Sequence, residues 1–180
     1  MRPLNQNEAQ LFFEKLAKFI GDNAKTLVER DGGQWTFCVH NNRVYYMKKE
    51  VESYCPPFAH KLLLSAGICM GKFTKKGRFF LQVTALPVIA PLAQYKVWVK
   101  SSAEIGFLYG QHILKEGVEN ITEGTPRNAG VIIFNPNNLP IGIGVALQSS
   151  VQLRLAAPSI MAVANQGDLG EYLRAESQIA

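Results

Sequence analysis

Residues 86–104 read LPVIAPLAQYKVWVKSSAE. Pro87 and Pro91 each remove an amide hydrogen from this apolar run, so neither a long helix nor a central strand is expected across residues 86–94. The pattern then changes. Tyr95-Lys96-Val97-Trp98-Val99-Lys100 alternates as a half-buried strand does, and Ser101 and Glu104 stand at capping-box spacing. A short helix through Phe107 and Leu108 follows, with Gly110 as its stop. Proline punctuation followed by a fresh strand and helix predicts two domains, residues 1–93 and 94–180. The stretch between them is too apolar for a loose linker, which predicts two separate cores with a docked boundary.

After this helix the second half is rich in β-forming runs, at residues 130–134, 141–147 and 160–164. Asn135-Pro136-Asn137-Asn138 and Asn165-Gln166-Gly167-Asp168 read as turns between or after them. Many short strands with one early helix suggest a small, mostly β barrel.

The first half opens with a helix. Asn5 and Glu8 have capping-box spacing, Phe12, Leu16, Phe19 and Ile20 share one face, and Gly21 offers the stop. Trp35, Phe37 and Val39 alternate with polar neighbours, as do Val44 and Tyr46 beyond Asn41-Asn42, so this stretch is predicted to be a hairpin. Residues 48–54 suit a short helix that Pro56 and Pro57 end. A second hairpin is expected from a strand over residues 62–73, a turn at Lys75-Lys76-Gly77 and a returning strand over residues 78–85. Its tip joins Lys72, Lys75, Lys76 and Arg78 to Phe73, Phe79 and Phe80, the phenylalanines being assigned to the core.

The chain of 180 residues is 47% hydrophobic, enough for packed cores, and carries a formal charge of +5 with pI near 9.2. That balance points to an anionic partner. Residues 1–93 hold 13 Lys and Arg against 7 Asp and Glu, whereas residues 94–180 hold 6 against 7, so the basic excess lies in the first half. No run approaches the roughly 18 apolar residues of a membrane span, and no apolar leader opens the chain. Cys38, Cys55 and Cys69 show no metal or redox spacing and read as reduced, buried thiols.

Motifs for catalysis are thin. Gly142-x-Gly144 lacks the third glycine of a dinucleotide fingerprint and reads as a strand approached closely by another backbone. His40, His60 and His112 lie far apart, and none has an i, i+4 metal partner. Asp31, Asp168 and Glu171 fall near expected turns or ends, where solvated carboxylates are the default. Neither a phosphate loop nor a nucleophile with its base is visible. Four cations among aromatics at the hairpin tip remain the clearest chemical feature, suited to phosphate contact.

Several segments, in order along the whole chain, carry a family resemblance: Met1-Arg2-Pro3-Leu4, the FEKLAKFIG run from Phe13, the HNNRVYY run from His40, Gly71-Lys72-Phe73-Thr74-Lys75, Val83-Thr84-Ala85-Leu86, Tyr95-Lys96-Val97-Trp98-Val99-Lys100, Phe107-Leu108-Tyr109-Gly110, and the GDLGEY run from Gly167. Together they resemble the Nip-seven family of eukaryotic large-subunit biogenesis proteins. The resemblance implies an α+β protein: an N-terminal α/β domain with antiparallel strands, then a small, mostly β PUA pseudo-barrel, named after pseudouridine synthases and archaeosine transglycosylases. It implies a non-catalytic RNA-binding factor in pre-rRNA processing and 60S subunit assembly, located in the nucleus and nucleolus, with the cytoplasm as an additional location. Its implied partners are pre-rRNA, pre-60S particles and other assembly factors; it implies no cofactor, metal or membrane, and a monomer when free.

In PUA domains RNA lies against the loop after the first helix and against nearby late strands. Carried over, the expected RNA-binding residues are Gly110, His112, Lys115 and Gly117 in the loop, with Arg154 and Gln166 beyond it. The basic tip, Lys72, Lys75, Lys76 and Arg78, is added from the charge split. One departure from the family pattern is that residues 149–158 contain a single cation, Arg154, where archaeal relatives are more basic. That leaves open a protein–protein adaptor with vestigial RNA affinity, beside an RNA-modifying enzyme subunit.

Overall fold

Asn5 caps the first helix as its spacing requires: the Glu8 amide donates to Asn5 Oδ1 at 2.8 Å, and Glu8 Oε2 accepts from the Asn5 amide at 3.0 Å. In the computed structural model, which describes residues 1–55, 63 and 65–176, the chain divides into two units. The first comprises Met1–Ala17 with Gly21–Ala85; the second comprises Lys18–Ile20 with the chain from Leu86 onward.

The first unit contains β1 (Arg2–Pro3), α1 (Gln6–Ile20) up to Ala17, α2 (Ala24–Gly33), β2 (Trp35–His40), β3 (Arg43–Lys48), α3 (Lys49–Tyr54), β4 (Ile68–Phe73) and β5 (Phe79–Leu81). The five strands form one antiparallel sheet in sequence order. Asn41 and Asn42 both adopt positive φ, 48° and 63°, as a two-residue hairpin needs. Phe12, Leu16, Phe19 and Ile20, the four positions sharing one face of α1, are all buried. Phe12 meets Phe37 and Phe79 at ring separations of 4.9 and 5.1 Å. Within the hairpin, on β2, burial and the adjacent Glu52 carboxylate push the Cys38 thiol up to about 12.

Some first-half expectations change. β4 begins at Ile68, later than residue 62, which lies outside the described residues together with Pro56, Pro57 and His60. β5 ends at Leu81 and a 3-10 turn, Val83–Ala85, follows it; Leu81, Gln82 and Val83 are buried in succession, which a strand's alternation does not allow with one face exposed. Phe80 is not in the core: β5 alternates buried, exposed, buried, which leaves Phe80 half exposed. Helix α2 was unmarked in the sequence, since of its residues only Leu27 is buried and Asp-Gly-Gly at its end reads as a turn.

The second unit contains α4 (Leu86–Ile89), β6 (Lys96–Val99), α5 (Ser101–Leu108), β7 (Ile113–Leu114), β8 (Val118–Ile121), β9 (Gly130–Phe134), β10 (Pro140–Ala146), α6 (Ser150–Leu155), β11 (Met161–Asp168) and α7 (Glu171–Arg174). Its sheet runs β7-β11-β10-β9-β6-β8, antiparallel except for the parallel pair β6 and β9. The edge strands β7 and β8 are joined by one 3-10 turn, Lys115–Gly117, so the sheet must curl until its edges nearly meet. Val97, Val99, Phe107, Val131, Ile133 and Val163 fill the resulting near-barrel.

Two local expectations fail here. Ser101 and Glu104 form no capping box. The N-cap of α5 is Lys100 and it makes no side-chain cap, while Glu104 Oε1 accepts from Asn135 Nδ2 at 3.1 Å. The true capping box in this half is Ser149 with Gln152, at the start of α6. Residues 165–168, read as a turn, continue β11. Ile143 pairs Gly167 and Gly144 pairs Asn165, so Gln166 is the extra residue of a β-bulge. Gly142 and Gly144 do sit where backbones meet: a Cβ on Gly142 would lie 2.5 Å from the Gly167 carbonyl and 2.6 Å from the Phe107 ring.

Candidate nucleic-acid interface

In the first unit the chemistry gathers at the β4–β5 tip. The Thr74 amide donates to the Arg78 carbonyl at 2.8 Å and the Gly77 amide to the Thr74 carbonyl at 2.9 Å, closing a turn with Gly77 at φ 73°. This geometry leaves Lys75, Lys76 and Arg78 exposed, while Lys72 is half-buried one step down the strand. Register places Lys72 between Arg43 on β3 and Phe80 on β5, so cations and an exposed ring form one row across three strands. Such a row can meet a phosphate chain and stack a base; Phe80 was missed because two adjacent phenylalanines hide which of them faces outward.

In the second unit the expected loop begins at Gly110, whose φ of 91° turns the chain out of α5. His112 is exposed, and its Nδ1 accepts from the Asn165 amide at 3.1 Å. Since Asn165 adjoins Gln166 at the bulge, Gly110, His112 and Gln166 are brought to one region although more than 50 residues separate its two halves. The bulge leaves the Gln166 residue exposed beside them.

Asp168 anchors this region, and it is not the solvated carboxylate expected from its position. It is 2% exposed; both its oxygens accept from Arg174 Nη2 at 3.0 Å, and it also accepts from the Gly170 amide at 2.9 Å and from Asn165 Nδ2 at 3.0 Å. Arg174 also donates to the Leu108 carbonyl at the end of α5. Asn165, Asp168 and Arg174 thus fix the end of α5, the bulge and α7 as one frame behind the loop. Only the tertiary fold shows this, because the polar residues were indistinguishable from turn formers.

The remaining expected residues are used differently. Lys115 Nζ donates to the Arg154 carbonyl at 3.1 Å and to the Ala156 carbonyl, closing the C-terminal end of α6. Arg154 pairs with Glu123 at 2.7 Å, both side chains being largely exposed. Gly117 is buried, and a Cβ there would lie 2.7 Å from the Cβ of Ala103. Lys115 and Arg154 are therefore turned toward the end of α6, whereas Gly117 borders the same cleft as Gln111 and His112. Among the described residues no group of His, Cys, Asp and Glu is placed to hold a metal, and no helix is long and apolar enough to cross a membrane.

Comparison with known proteins gives this geometry a setting. A family model described as the NIP7/UPF0113 pre-PUA domain matches residues 1–83, and one described as the UPF0113 PUA domain matches residues 95–177. A protein of Tetraodon nigroviridis named "60S ribosome subunit biogenesis protein NIP7 homolog" is 45% identical over 179 residues, covering 99% of each chain. The Xenopus tropicalis protein of the same name is 46% identical over 179 residues, again 99% of both. Among solved structures, a PUA domain protein of Aeropyrum pernix matches with TM-score 0.63 at 18% identity, over 99% of this chain and 90% of that one. A hypothetical protein of Pyrococcus horikoshii matches with TM-score 0.64 at 15% identity, over 99% of each. The fold is thus mixed α+β, an antiparallel first sheet followed by a PUA-type near-barrel.

Proposed function

The chain belongs to the NIP7/UPF0113 family, and on that premise we propose that it is a non-catalytic RNA-binding factor in pre-rRNA processing and assembly of the large (60S) ribosomal subunit. The names of its relatives support the assembly role. We take residues 1–93 and 94–180 as its two domains, a division supported by the two family matches. The partners proposed are pre-rRNA, pre-60S particles and other assembly factors, with the chain monomeric when free, without a cofactor, and resident in the nucleus and nucleolus.

The observation that carries RNA binding is the exposed cationic tip of the first unit joined in one chain to a PUA-type near-barrel. Phosphate contact from the tip is sequence-independent, while Gly110, His112 and Gln166 supply a loop that a strand can approach closely. Catalysis is left out because residues 1–93 are short for a modifying domain and carry no visible nucleophile with a matching base. The test is the Lys75→Glu, Lys76→Glu double variant, titrated with an rRNA-derived oligonucleotide at several salt concentrations. Its thermal stability should stay within about 0.5 kcal/mol of wild type. Its slope of log affinity against log salt should fall by about one for each phosphate that the variant no longer neutralises. A folded variant with an unchanged slope would assign these cations to solubility.

One observation favours the adaptor reading for the second unit. Of its six cations, Lys115, Arg154 and Arg174 are held by carbonyls or carboxylates of the same chain, and Lys96 lies 5.5 Å over the Phe134 ring. Wild-type protein that joins pre-60S particles yet binds no RNA fragment would establish that reading.

A further inference from the structure

Phe79 and Phe80 are neighbours on β5, yet the fold treats them oppositely. Strand alternation turns Phe79, 7% exposed, toward Phe12 on α1, and turns Phe80, 50% exposed, away from that core. Gly71 on β4 allows the arrangement. A Cβ there would collide with the Phe80 carbonyl and lie 2.6 Å from Phe79 Cζ, so its absence lets β5 close on β4. Phe73 and Phe79 pack together at a ring separation of 5.1 Å, whereas the Phe80 ring meets no other aromatic ring among the described residues.

The surroundings point to the ligand. Register sets Lys72 beside Phe80 and Arg43 beyond it, so with strands about 4.8 Å apart both cations stand within about 10 Å of Phe80 on the same face. Lys75, Lys76 and Arg78 follow at the adjoining tip, all exposed. Residues 68–82 contain no Asp or Glu, and neither do residues 35–48 of the neighbouring hairpin. An exposed ring among cations, without a carboxylate in either hairpin, fits a ligand that is flat and apolar on its faces and anionic along its backbone. A nucleotide base on its phosphate chain has that form. In a duplex the bases cover one another's faces, so only an unpaired base can lie on a protruding ring.

We propose that Phe80 is a stacking platform for one unpaired RNA base, with Lys72 and Arg43 meeting phosphates of the same strand. The proposal rests on the RNA-binding reading and deepens it: to a phosphate contact that any RNA can make, it adds one that single-stranded RNA alone can make.

The experiment titrates the full chain with a fluorescein-labelled single-stranded RNA of mixed sequence, the same strand annealed to its complement, and an abasic strand of equal length. Wild type should bind the single strand more tightly than either of the others. Phe80→Leu keeps an apolar side chain but no ring face, and with half of the ring already in water its melting temperature should hardly move. Its single-strand affinity should fall about tenfold, within the range for one base stacked on an aromatic side chain. The salt slope should stay the same, because no charge is removed. Phe80→Trp should bind the single strand at least as tightly as wild type and add a fluorescence component that the single strand quenches and the abasic strand does not. Lys72→Ala should instead lower the slope by about one with all three RNAs. Phe80→Leu binding the single strand like wild type, or losing the duplex and abasic strand equally, would overturn the platform while leaving RNA binding intact. Absence of quenching in Phe80→Trp would overturn it too. So would Phe80→Leu failing to join pre-60S particles at unchanged RNA affinity, which would assign the ring to a protein. Wild type binding none of the three RNAs would overturn both readings.

Discussion

Replacing Asp168 with alanine removes the acceptor on which the frame behind the loop converges. Arg174 Nη2 loses both its hydrogen bonds of 3.0 Å, and the Gly170 amide and Asn165 Nδ2 lose theirs of 2.9 and 3.0 Å. Removing one partner of a buried ion pair costs about 3–5 kcal/mol, chiefly because the other charge is left stranded. Here the Arg174 side chain is 36% exposed and water can reach it, which places the cost near the lower end, about 3 kcal/mol. For a unit of this size that is a fall in melting temperature of roughly 15 °C. Urea unfolding followed by Trp98 fluorescence in a Trp35→Phe background would read the second unit separately. Asp168→Asn keeps an oxygen that can accept from Gly170 and should lose distinctly less. A double-mutant cycle with Arg174→Met should give a coupling of about 1–3 kcal/mol. A loss below about 1 kcal/mol for Asp168→Ala, or a coupling within error of zero, would show that Asp168 does not hold this frame.

Other outcomes follow from single sites. Glu8 is held below its ordinary range first by the hydrogen bond from Arg2, at 2.5 Å, so its contribution is present above the unfolded carboxylate range and is lost as pH falls through the lowered folded value. Glu8→Gln should therefore cost about 0.5–1 kcal/mol at pH 7 by urea titration and nothing once wild-type Glu8 is protonated; an equal cost at both pH values would remove the charge from the explanation. With Cys38 buried and its thiol pushed up to about 12, alkylation at pH 8 should proceed only as fast as the protein opens, and labelling of folded protein at the rate of a free thiol would contradict its burial. Gly142→Ala should destabilise the second unit by about 1–3 kcal/mol, because its Cβ would meet the Gly167 carbonyl and the Phe107 ring rather than a flexible chain end; unchanged thermal melting would disprove that close approach.

What the sequence made legible is what closes locally. Asn5 with Glu8, Gly21, and the Asn41-Asn42 turn mark boundaries through atoms only a few residues apart, and each stands where expected. Pairing between distant segments leaves no such mark. Nothing near Lys96 announces its parallel partner on β9, and the composition of residues 165–168 suits a turn equally well as a bulged strand. These polar side chains belong inside a strand because their partners, the Phe107 carbonyl and Arg174, come from α5 and α7. Ser101 and Ser149 make the same point in reverse. Both have capping-box spacing, yet Glu104 is drawn away by Asn135, from 31 residues downstream, while Gln152 is free to complete its box.

The same distinction governs the interface. A charge count treats all cations alike, but attraction to phosphate depends on which of them the fold has already engaged. Lys115 looks like an ideal loop cation in sequence, and its acceptors at Arg154 and Ala156 lie about 40 residues away, beyond any local pattern. Lys75, Lys76 and Arg78 keep their charge at the solvent because the tip is closed by backbone bonds and the Thr74 hydroxyl, which leave the cationic side chains out of the turn's own bonding. The net charge of +5 therefore overstates what the second unit offers RNA and is a fair guide for the first. On the RNA-binding reading proposed above, labour divides: salt-sensitive attraction is expected from the β4–β5 tip, and the near-barrel is left chiefly with hydrogen bonds and close backbone approach, which salt displaces little.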